Sequence, residues 1–548
     1  MSAVPSALGH PEYPDKIDAA VLKVAGVVVL GAIMSILDIT VVNVAMATFQ
    51  TQLAPKGGVP LPYSTVAWTV TGYTLALATV IPMTGWAADR FGTKRLYMAA
   101  LLLFTLGSAL CATATSIGML VSFRVLQGLG GGMLMPLGMT IMTRAAGPKR
   151  MGRLMAVLGV PMLLGPIFGP ILGGYLIDHY SWHWIFLINV PIGAIALAYA
   201  SWALGKDRPE PTESFDWVGM ALMSPGLAMF LFGISSIPGE GSFFNWKTEV
   251  FGTVGVLMIV GFVFYSFRPK HPLLDLRLFE NRNLTVAVIT MFLFAGAFFG
   301  GLLLLPQYLQ EVRGETPLSA GWVMAAQGLG AMITMPVAGA LADKYPVGRI
   351  VPVGLVLIVG GMFTLTQLNA HSSYWGFIRP VLFVMGLGMG ATMMPIMTSA
   401  IKTLTAHTVA RGSTLLNITQ QIASSIGVAV LSVVLTNQLK GRPLVGQAQA
   451  FGEAAKTVKD PSAMGALLER YPAVAKVLAP FGTDQAAGQK ALATQVHDVM
   501  AQAFAHTYWV AACIVALTLV AAFFLPRRHE ESHLLDEEGE PAAPVFVH

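Results

Sequence analysis

Long apolar runs separated by short polar breaks make up most of this chain. The first, residues 21–49, reads VLKVAGVVVLGAIMSILDITVVNVAMATF. At 1.5 Å per helical residue it can cross a bilayer core of about 30 Å. Comparable runs recur and predict fourteen spans, numbered here in order: 21–49, 63–84, 96–115, 117–143, 153–177, 183–204, 217–237, 250–267, 284–310, 318–341, 350–369, 374–400, 412–436 and 504–526. Barrel strands would be shorter and would alternate in polarity, so the predicted spans are helices. Residues 437–503 are the one sizeable piece outside them. Its Leu467, Leu468, Tyr471, Val474 and Leu478 fall at helical spacing, which predicts a helical hairpin lying on the membrane face, with a solvated spacer as the alternative. The tail from Glu530 is acidic and is expected to be disordered.

The polar breaks carry a repeat. Gly85-Trp-Ala-Ala-Asp89-Arg90-Phe91 follows span 2, and Gly339-Ala-Leu-Ala-Asp343-Lys344-Tyr345 follows span 10, 254 residues later. Arg124 and Arg379, each near the same end of its span, stand 255 residues apart. A repeat displaced by eight spans out of fourteen implies two six-span halves with a pair inserted between them. Parallel halves with a site at their interface are a transporter architecture. The expected parts are a tail at 1–20, a first half at 21–204, an inserted pair with its loops at 205–283, a second half at 284–526 that includes the outer 437–503 segment, and a tail at 527–548.

Composition agrees with this reading: 55% of the 548 residues are hydrophobic, only 11% are charged, and mean hydropathy is +0.66. A soluble domain carries about 25% charge. The placement of charge decides orientation. With the N-terminus inside, the inner loops hold Arg90, Lys94, Arg95, Arg144, Arg153, Lys344, Arg349 and others, while the short outer loops hold only Lys56, Lys247 and Arg313. By the positive-inside rule both termini are cytoplasmic. The first run is too long for a cleavable signal and is flanked by Asp15 and Asp18. The two cysteines, Cys111 and Cys513, lie inside apolar runs and form no metal or disulfide pattern. No phosphate-binding loop, metal-ligand cluster or catalytic constellation is present in the sequence, so the protein is expected to be no enzyme, to need no cofactor and to bind no nucleic acid.

Four groups of residues carry the chemistry. Asp38 is the one acid deep in a predicted span, where a charge costs on the order of 3 kcal/mol or more unless it is paired, hydrated or protonated. A structural contact between helices would satisfy it; a titrating site on a transport path is the sharper reading. Arg124, at nearly matching depth in span 4, is its expected partner, and it opens RVLQGLGGGMLMP, whose glycines admit a neighbouring helix. The turn Gly85, Asp89, Arg90, Gly92, Lys94, Arg95, with Asp343 from its second copy, is expected to form a cytoplasmic gate. Gly92 supplies a positive φ there, and Asp89 favours the start of span 3. In span 5, Gly165-Pro166-Ile-Phe-Gly169-Pro170-Ile-Leu-Gly173-Gly174 makes a bare stripe with two prolines, read as a bending seam between the halves or as plain packing. Asn43, Gln127, Gln307, Gln327, Asn417, Gln420 and Gln421 are neutral polar groups suited to an adaptable substrate cavity walled by Met and Phe.

These residues resemble the major facilitator superfamily. The stretch Leu37-Asp38-Ile-Thr40-Val-Val-Asn43, the 85–95 turn, Arg124 with its glycines and the Gly-Pro run of span 5 are similar, more narrowly, to the fourteen-span drug:proton antiporters of the EmrB/QacA type. Further matches are Trp182-His-Trp-Ile-Phe-Leu-Ile-Asn-Val-Pro-Ile-Gly193, Pro272-Leu-Leu-Asp-Leu-Arg277, Leu305-Pro-Gln-Tyr-Leu-Gln310 and the stretch 417–427. His183 stands where arginine is common, and Pro346 interrupts the second copy of the turn. The resemblance implies an all-α membrane protein of the major facilitator fold, two six-helix bundles plus two inserted helices, with Asp38 as proton carrier and span 5 as the antiport motif. It implies proton-driven export of amphipathic, cationic drugs or dyes across the cytoplasmic (inner) membrane, with an extracytoplasmic adaptor protein as an optional partner. Export of one endogenous metabolite or lipid is the alternative, and a channel or receptor the remote one.

Overall fold

The computed structural model describes residues 18–54, 61, 63–146, 150–206, 214–240, 245–269, 272–402, 404–405, 408–457, 467–481 and 484–528. The N-terminal tail before Asp18 and the acidic tail from Glu530 lie outside them. So do the side chains of Pro166 and Pro170.

The described residues are helical, and twelve of their helices are long and apolar enough to cross a membrane. Spans 1, 3 and 4 become Ala19–Val44, Thr93–Cys111 and Ile117–Ala146. Spans 10, 11 and 13 become Pro317–Lys344, Val347–Leu365 and Val409–Lys440. Predicted spans 2 and 5 are not among the twelve. The chain of span 2 is divided into Tyr63–Val66, Trp68–Val80, a 3-10 turn Ile81–Met83 and Thr84–Phe91; the 3-10 turn falls at Pro82, which cannot donate a helical bond. Span 5 runs as one helix, Met151–His179, with part of its side chains outside the described set.

Spans 1 to 6 pack against one another and spans 9 to 14 do the same, as the repeat requires. Span 7 (Trp217–Glu240) pairs with span 8 and lies along spans 2 and 13, one from each half. Its apolar contact is built from Ala78, Ile81, Met223, Leu227, Leu231 and Ile418. Asp216 ties the pair down: its carboxylate accepts from Gly219 N at 2.8 Å, Tyr265 OH at 3.0 Å and Leu273 N at 3.0 Å. The halves meet through spans 5 and 10 and through spans 2 and 13.

Among the described residues, the 437–503 segment is helical and packs on itself and on the last helix. Span 13 continues to Lys440, Pro443–Thr457 and Pro472–Leu478 follow, and the last helix starts at Gln485 and runs 38 residues to Ala522. Arg442 donates to Val499 O at 3.0 Å and to Gln502 Oε1 at 2.7 Å, and the Tyr471 ring meets Phe451 edge-on. Val474 is fully buried. The apolar positions that suggested a membrane-lying face are therefore turned, at least at Val474 and Tyr471, toward neighbouring helices.

Candidate functional site

Asp38 sits on the helix of span 1 with its side chain out of contact with solvent, and so does Arg124 on span 4. Arg124 Nη1 donates to Asp38 Oδ2 and, at 2.8 Å, to Gln127 Oε1. Gln127 Nε2 in turn donates to Asp38 Oδ1 at 2.8 Å, closing a ring of three side chains. Gln127 lies one helical turn after Arg124 on span 4, so the two reach the same carboxylate. A fourth group comes from span 6: Asn189 Nδ2 donates to Asp38 Oδ1 at 3.2 Å and to Ser108 Oγ at 3.0 Å, and Ser108 Oγ donates to Phe186 O at 2.9 Å. Arg124 also donates to Thr69 O at 3.1 Å and stacks 4.1 Å from the Tyr73 ring. Its Nη2 is buried and has no hydrogen-bond partner among the described residues. Spans 1, 4 and 6 thus meet at one carboxylate. Breaking such a buried pair by removing one partner costs about 3–5 kcal/mol.

At the end of the bundle that holds the basic residues, the chain turns between spans 2 and 3 at Gly92. Gly92 ends the helix Thr84–Phe91 at φ 89° and begins Thr93–Cys111. Lys94 donates to Ser201 O at 2.8 Å and Leu204 O at 2.6 Å, covering the open carbonyls at the end of span 6. Asp89 lies 3.6 Å from Arg144. Gly85 faces the other half: a Cβ there would meet Arg411 Cα at 3.3 Å and Thr414 Oγ1 at 3.3 Å, at the start of span 13. Arg90 and Arg95 also belong to this turn and are engaged in further contacts.

The second copy does the same across the opposite seam. Asp343 accepts from Gly152 N at 2.7 Å, Arg153 N at 3.3 Å and Arg153 Nε at 3.1 Å. It therefore caps the start of span 5 from the other half, where the helix dipole favours an anion. Gly339 meets Gly152 backbone to backbone; a Cβ on Gly339 would lie 3.0 Å from Gly152 C. Where the first copy has Gly92, the second has Pro346, in extended geometry just before Val347–Leu365. The proline replaces the positive-φ turn and leaves the acid's reach intact.

The stripe of span 5 corrects an expectation. Gly165, Gly169 and Gly173 face span 1, inside the first half: a Cβ on Gly173 would meet Val41 Cγ1 at 3.0 Å, and one on Gly169 would meet Thr40 Cβ at 2.5 Å. Thr40 donates to Gly165 O at 3.1 Å. Gly174 faces open space. The halves are joined instead by the start of the same helix, at Gly152 and at Gly159, whose Cβ would run into Met335. The reason is periodicity: residues 165, 169 and 173 share one face of the helix, and Thr40 and Val41 are on the facing side of span 1.

Comparison with known proteins now gives this architecture its place. Residues 28–428 match the family model described as Major Facilitator Superfamily. The chain belongs to the Major Facilitator Superfamily. It is 45% identical over 527 residues to the "Multidrug resistance protein B homolog" of Mycobacterium tuberculosis (strain ATCC 25618 / H37Rv), covering 96% of this chain and 93% of that one. It is 31% identical to the "Multidrug export protein EmrB" of Escherichia coli (strain K12), covering 75% and 79%. Among solved structures the human organic anion transporter MFSD10 aligns with TM-score 0.55 at 16% identity, covering 90% of this chain and 99% of that one. The proton:xylose symporter XylE aligns with TM-score 0.55 at 13%, covering 94% and 98%. These two likenesses concern the fold alone.

Within this facilitator fold the residues expected to line a substrate cavity are scattered. Gln127 belongs to the Asp38 ring. Asn43 and Gln307 are exposed, and Gln420 and Gln421 are half-buried on span 13. Asn417 donates to Ser413 O at 2.8 Å and to Met139 Sδ at 3.1 Å, a contact between the halves. Gln327 donates to Met389 Sδ at 3.0 Å and lines a gap inside the second half with Met324, Met362 and Met385. Arg379, the repeat partner of Arg124, stacks 4.0 Å from the exposed Trp375 ring and has no acid beside it among the described residues. Asn189, Ser108, Tyr73 and Thr69 were not singled out as site residues from the sequence. For Asn189 a signal existed: it is a lone amide within the apolar run of span 6.

Proposed function

We propose that this protein is a proton-coupled exporter of amphipathic, cationic small molecules that works by alternating access. The observation that carries the reading is the closed ring of Asp38, Arg124 and Gln127, joined by Asn189 and buried among the helices of the first half. The names of the relatives, a multidrug resistance protein homolog and a multidrug export protein, support the substrate class. Spans 2 and 5 complete fourteen crossings. The basic end faces the cytoplasm, both termini lie there, and the membrane is the cytoplasmic one; the distribution of Lys and Arg supports this. The proton gradient is the energy source, no cofactor is required, and an extracytoplasmic adaptor protein is an optional partner.

The coupling runs through packing. When Asp38 is ionised, Arg124 holds span 1 to span 4. Proton uptake removes the charge pairing and leaves Arg124 with Gln127, Thr69 O and the Tyr73 ring. Span 1, freed from span 4, carries with it the helix it meets through Thr40 and the glycine stripe. That helix is span 5, and its start is the one docked on Asp343. A proton at Asp38 thereby loosens the clamp at the basic end. Binding of a cation would favour loss of the same proton by charge repulsion, which makes the exchange obligatory.

Asp38→Asn tests this. In proteoliposomes with an imposed pH gradient, ethidium should be exported uphill by the wild type and not by the variant, which should still insert and bind dye. Uphill export by the Asn variant at the wild-type rate would overturn the proposal.

A further inference from the structure

The ring around Asp38 contains a chemical difficulty. Its Oδ1 faces two N–H donors, from Gln127 and Asn189, and its Oδ2 faces Arg124. A protonated carboxyl is itself a donor, so one neighbour has to become an acceptor for the neutral acid to exist in this enclosure. Gln127 is not free to do so. Its Oε1 already accepts from Arg124 Nη1 at 2.8 Å and from Cys111 Sγ at 3.6 Å, and turning the amide over would aim N–H groups at a guanidinium. Asn189 carries no such constraint. Its Nδ2 contacts two oxygens, Asp38 Oδ1 and Ser108 Oγ, and the second is a hydroxyl whose hydrogen can rotate.

We propose that Asn189 is the positioning residue that allows Asp38 to change protonation inside the closed ring, its amide turning over as the carboxyl takes up a proton. In the ionised state Nδ2 donates to Asp38 and to Ser108, and Ser108 donates to Phe186 O. In the protonated state Asn189 Oδ1 occupies the same place and accepts from the new Asp38 O–H and from the rotated Ser108 hydroxyl. One exchange of N for O converts two donated bonds into two accepted ones; Ser108 gives up its bond to Phe186 O, which keeps the backbone N–H of Ile188, and no charge has to leave the site. The other groups facing Asp38 that could titrate are Arg124 on span 4, which remains charged, and Tyr73 on span 2 and Cys111 on span 3, which remain neutral. Arg124 has no acceptor to offer, and neither Tyr73, which pairs with Ser35, nor Cys111, which donates to Gln127, is hydrogen-bonded to the carboxylate. This inference rests on Asp38 being the proton carrier.

The test is a pH-difference infrared spectrum of the full-length protein in lipid vesicles. In the wild type, the carboxylic acid band of Asp38, absent from Asp38→Asn, should rise together with a shifted side-chain amide carbonyl band, both with one midpoint. In Asn189→Leu the amide band should vanish. The Asp38 midpoint should stay within about half a pH unit of wild type, because both protonation states lose a partner. A fixed donor would leave a different record. The wild type would show no amide band, and Asn189→Leu would raise the midpoint by about one to two units, the worth of a hydrogen bond to a charged acceptor. Either result overturns the proposal. If Asn189→Leu does not fold, Ser108→Ala takes its place: the amide band should move in frequency, and an unmoved band overturns the proposal. Uphill export by Asp38→Asn would refute the proton-carrier role instead, so the two failures are distinguishable.

Discussion

The clamp at Asp343 lends itself to a quantitative test. Asp343→Ala removes three hydrogen bonds at once, two from backbone N–H groups at the start of span 5 and one from Arg153 Nε. Asp343 is almost fully buried, with 4% of its side chain exposed, and Arg153 has 29% exposed, so solvent screens the pair only in part. Loss of an N-terminal cap costs about 1 kcal/mol, and loss of a charged hydrogen bond about 1.5 kcal/mol or more. Taking about 2 kcal/mol as the part felt only when the halves are docked, the ratio of open to closed basic ends should rise about 30-fold. A cysteine placed at Ala156, buried at the same contact beside Gly339, reports that ratio through its rate of reaction with a membrane-impermeant maleimide from the basic side, in a background lacking Cys513. Asp343→Asn, which keeps an acceptor oxygen but loses the charge, should fall between wild type and Ala. Equal labelling rates in all three proteins, with normal thermal unfolding, would refute the idea that Asp343 holds the halves together.

Three shorter predictions follow from the same geometry. Gly169→Val should drive a side chain into Thr40 and separate spans 1 and 5, reducing export and lowering the midpoint of thermal unfolding by several degrees; wild-type behaviour in both would exclude the seam. Asp216→Ala should free span 7 from Tyr265 and from Leu273 N, at a cost of about 2–3 kcal/mol, and protease digestion within 205–283 would record it. Hydrogen bonds from Ser319 and Tyr374 hold the Glu315 carboxyl below its ordinary value. Its stabilisation of the turn before span 10 is therefore complete above the unfolded pKa and is lost as pH falls through the lower folded value. Hydrogen exchange in the turn around Gly314 should rise at acid pH in the wild type, while Glu315→Gln should remove that dependence.

Twelve of the spans were legible because a bilayer imposes length and apolarity on each run independently of the others. The two-half architecture was legible because Asp89 and Asp343 recur with their flanking residues, and Asp38 with Arg124 because a deep charge demands a partner. What could not be read was which residue of a polar set shares a site with which. Gln127 looked like a cavity residue and is a ligand of Asp38, since only three-dimensional placement turns it toward span 1. The direction of the glycine stripe was equally hidden. A bare face on a helix tells how closely something approaches, and both the other half and span 1 were available to do so. The burial of Val474 against neighbouring helices was hidden too, because helices that pack on one another carry the same apolar spacing as helices that lie on lipid.

The last helix also has a mechanical consequence. At 1.5 Å per residue its 38 residues measure about 57 Å, nearly twice the apolar core of a bilayer. Its C-terminal end is fastened beside the turn between spans 10 and 11, where Gly348 N donates to Pro526 O at 3.0 Å, and its N-terminal part is braced by Arg442. A rigid rod pivoted near that end moves its far tip by about 1 Å for each degree of tilt. The helices packed on its N-terminal part are thus a pointer fixed to the second half: a rotation of a few degrees near Pro526 becomes a displacement of several ångströms at the far tip, where a spectroscopic label can read it.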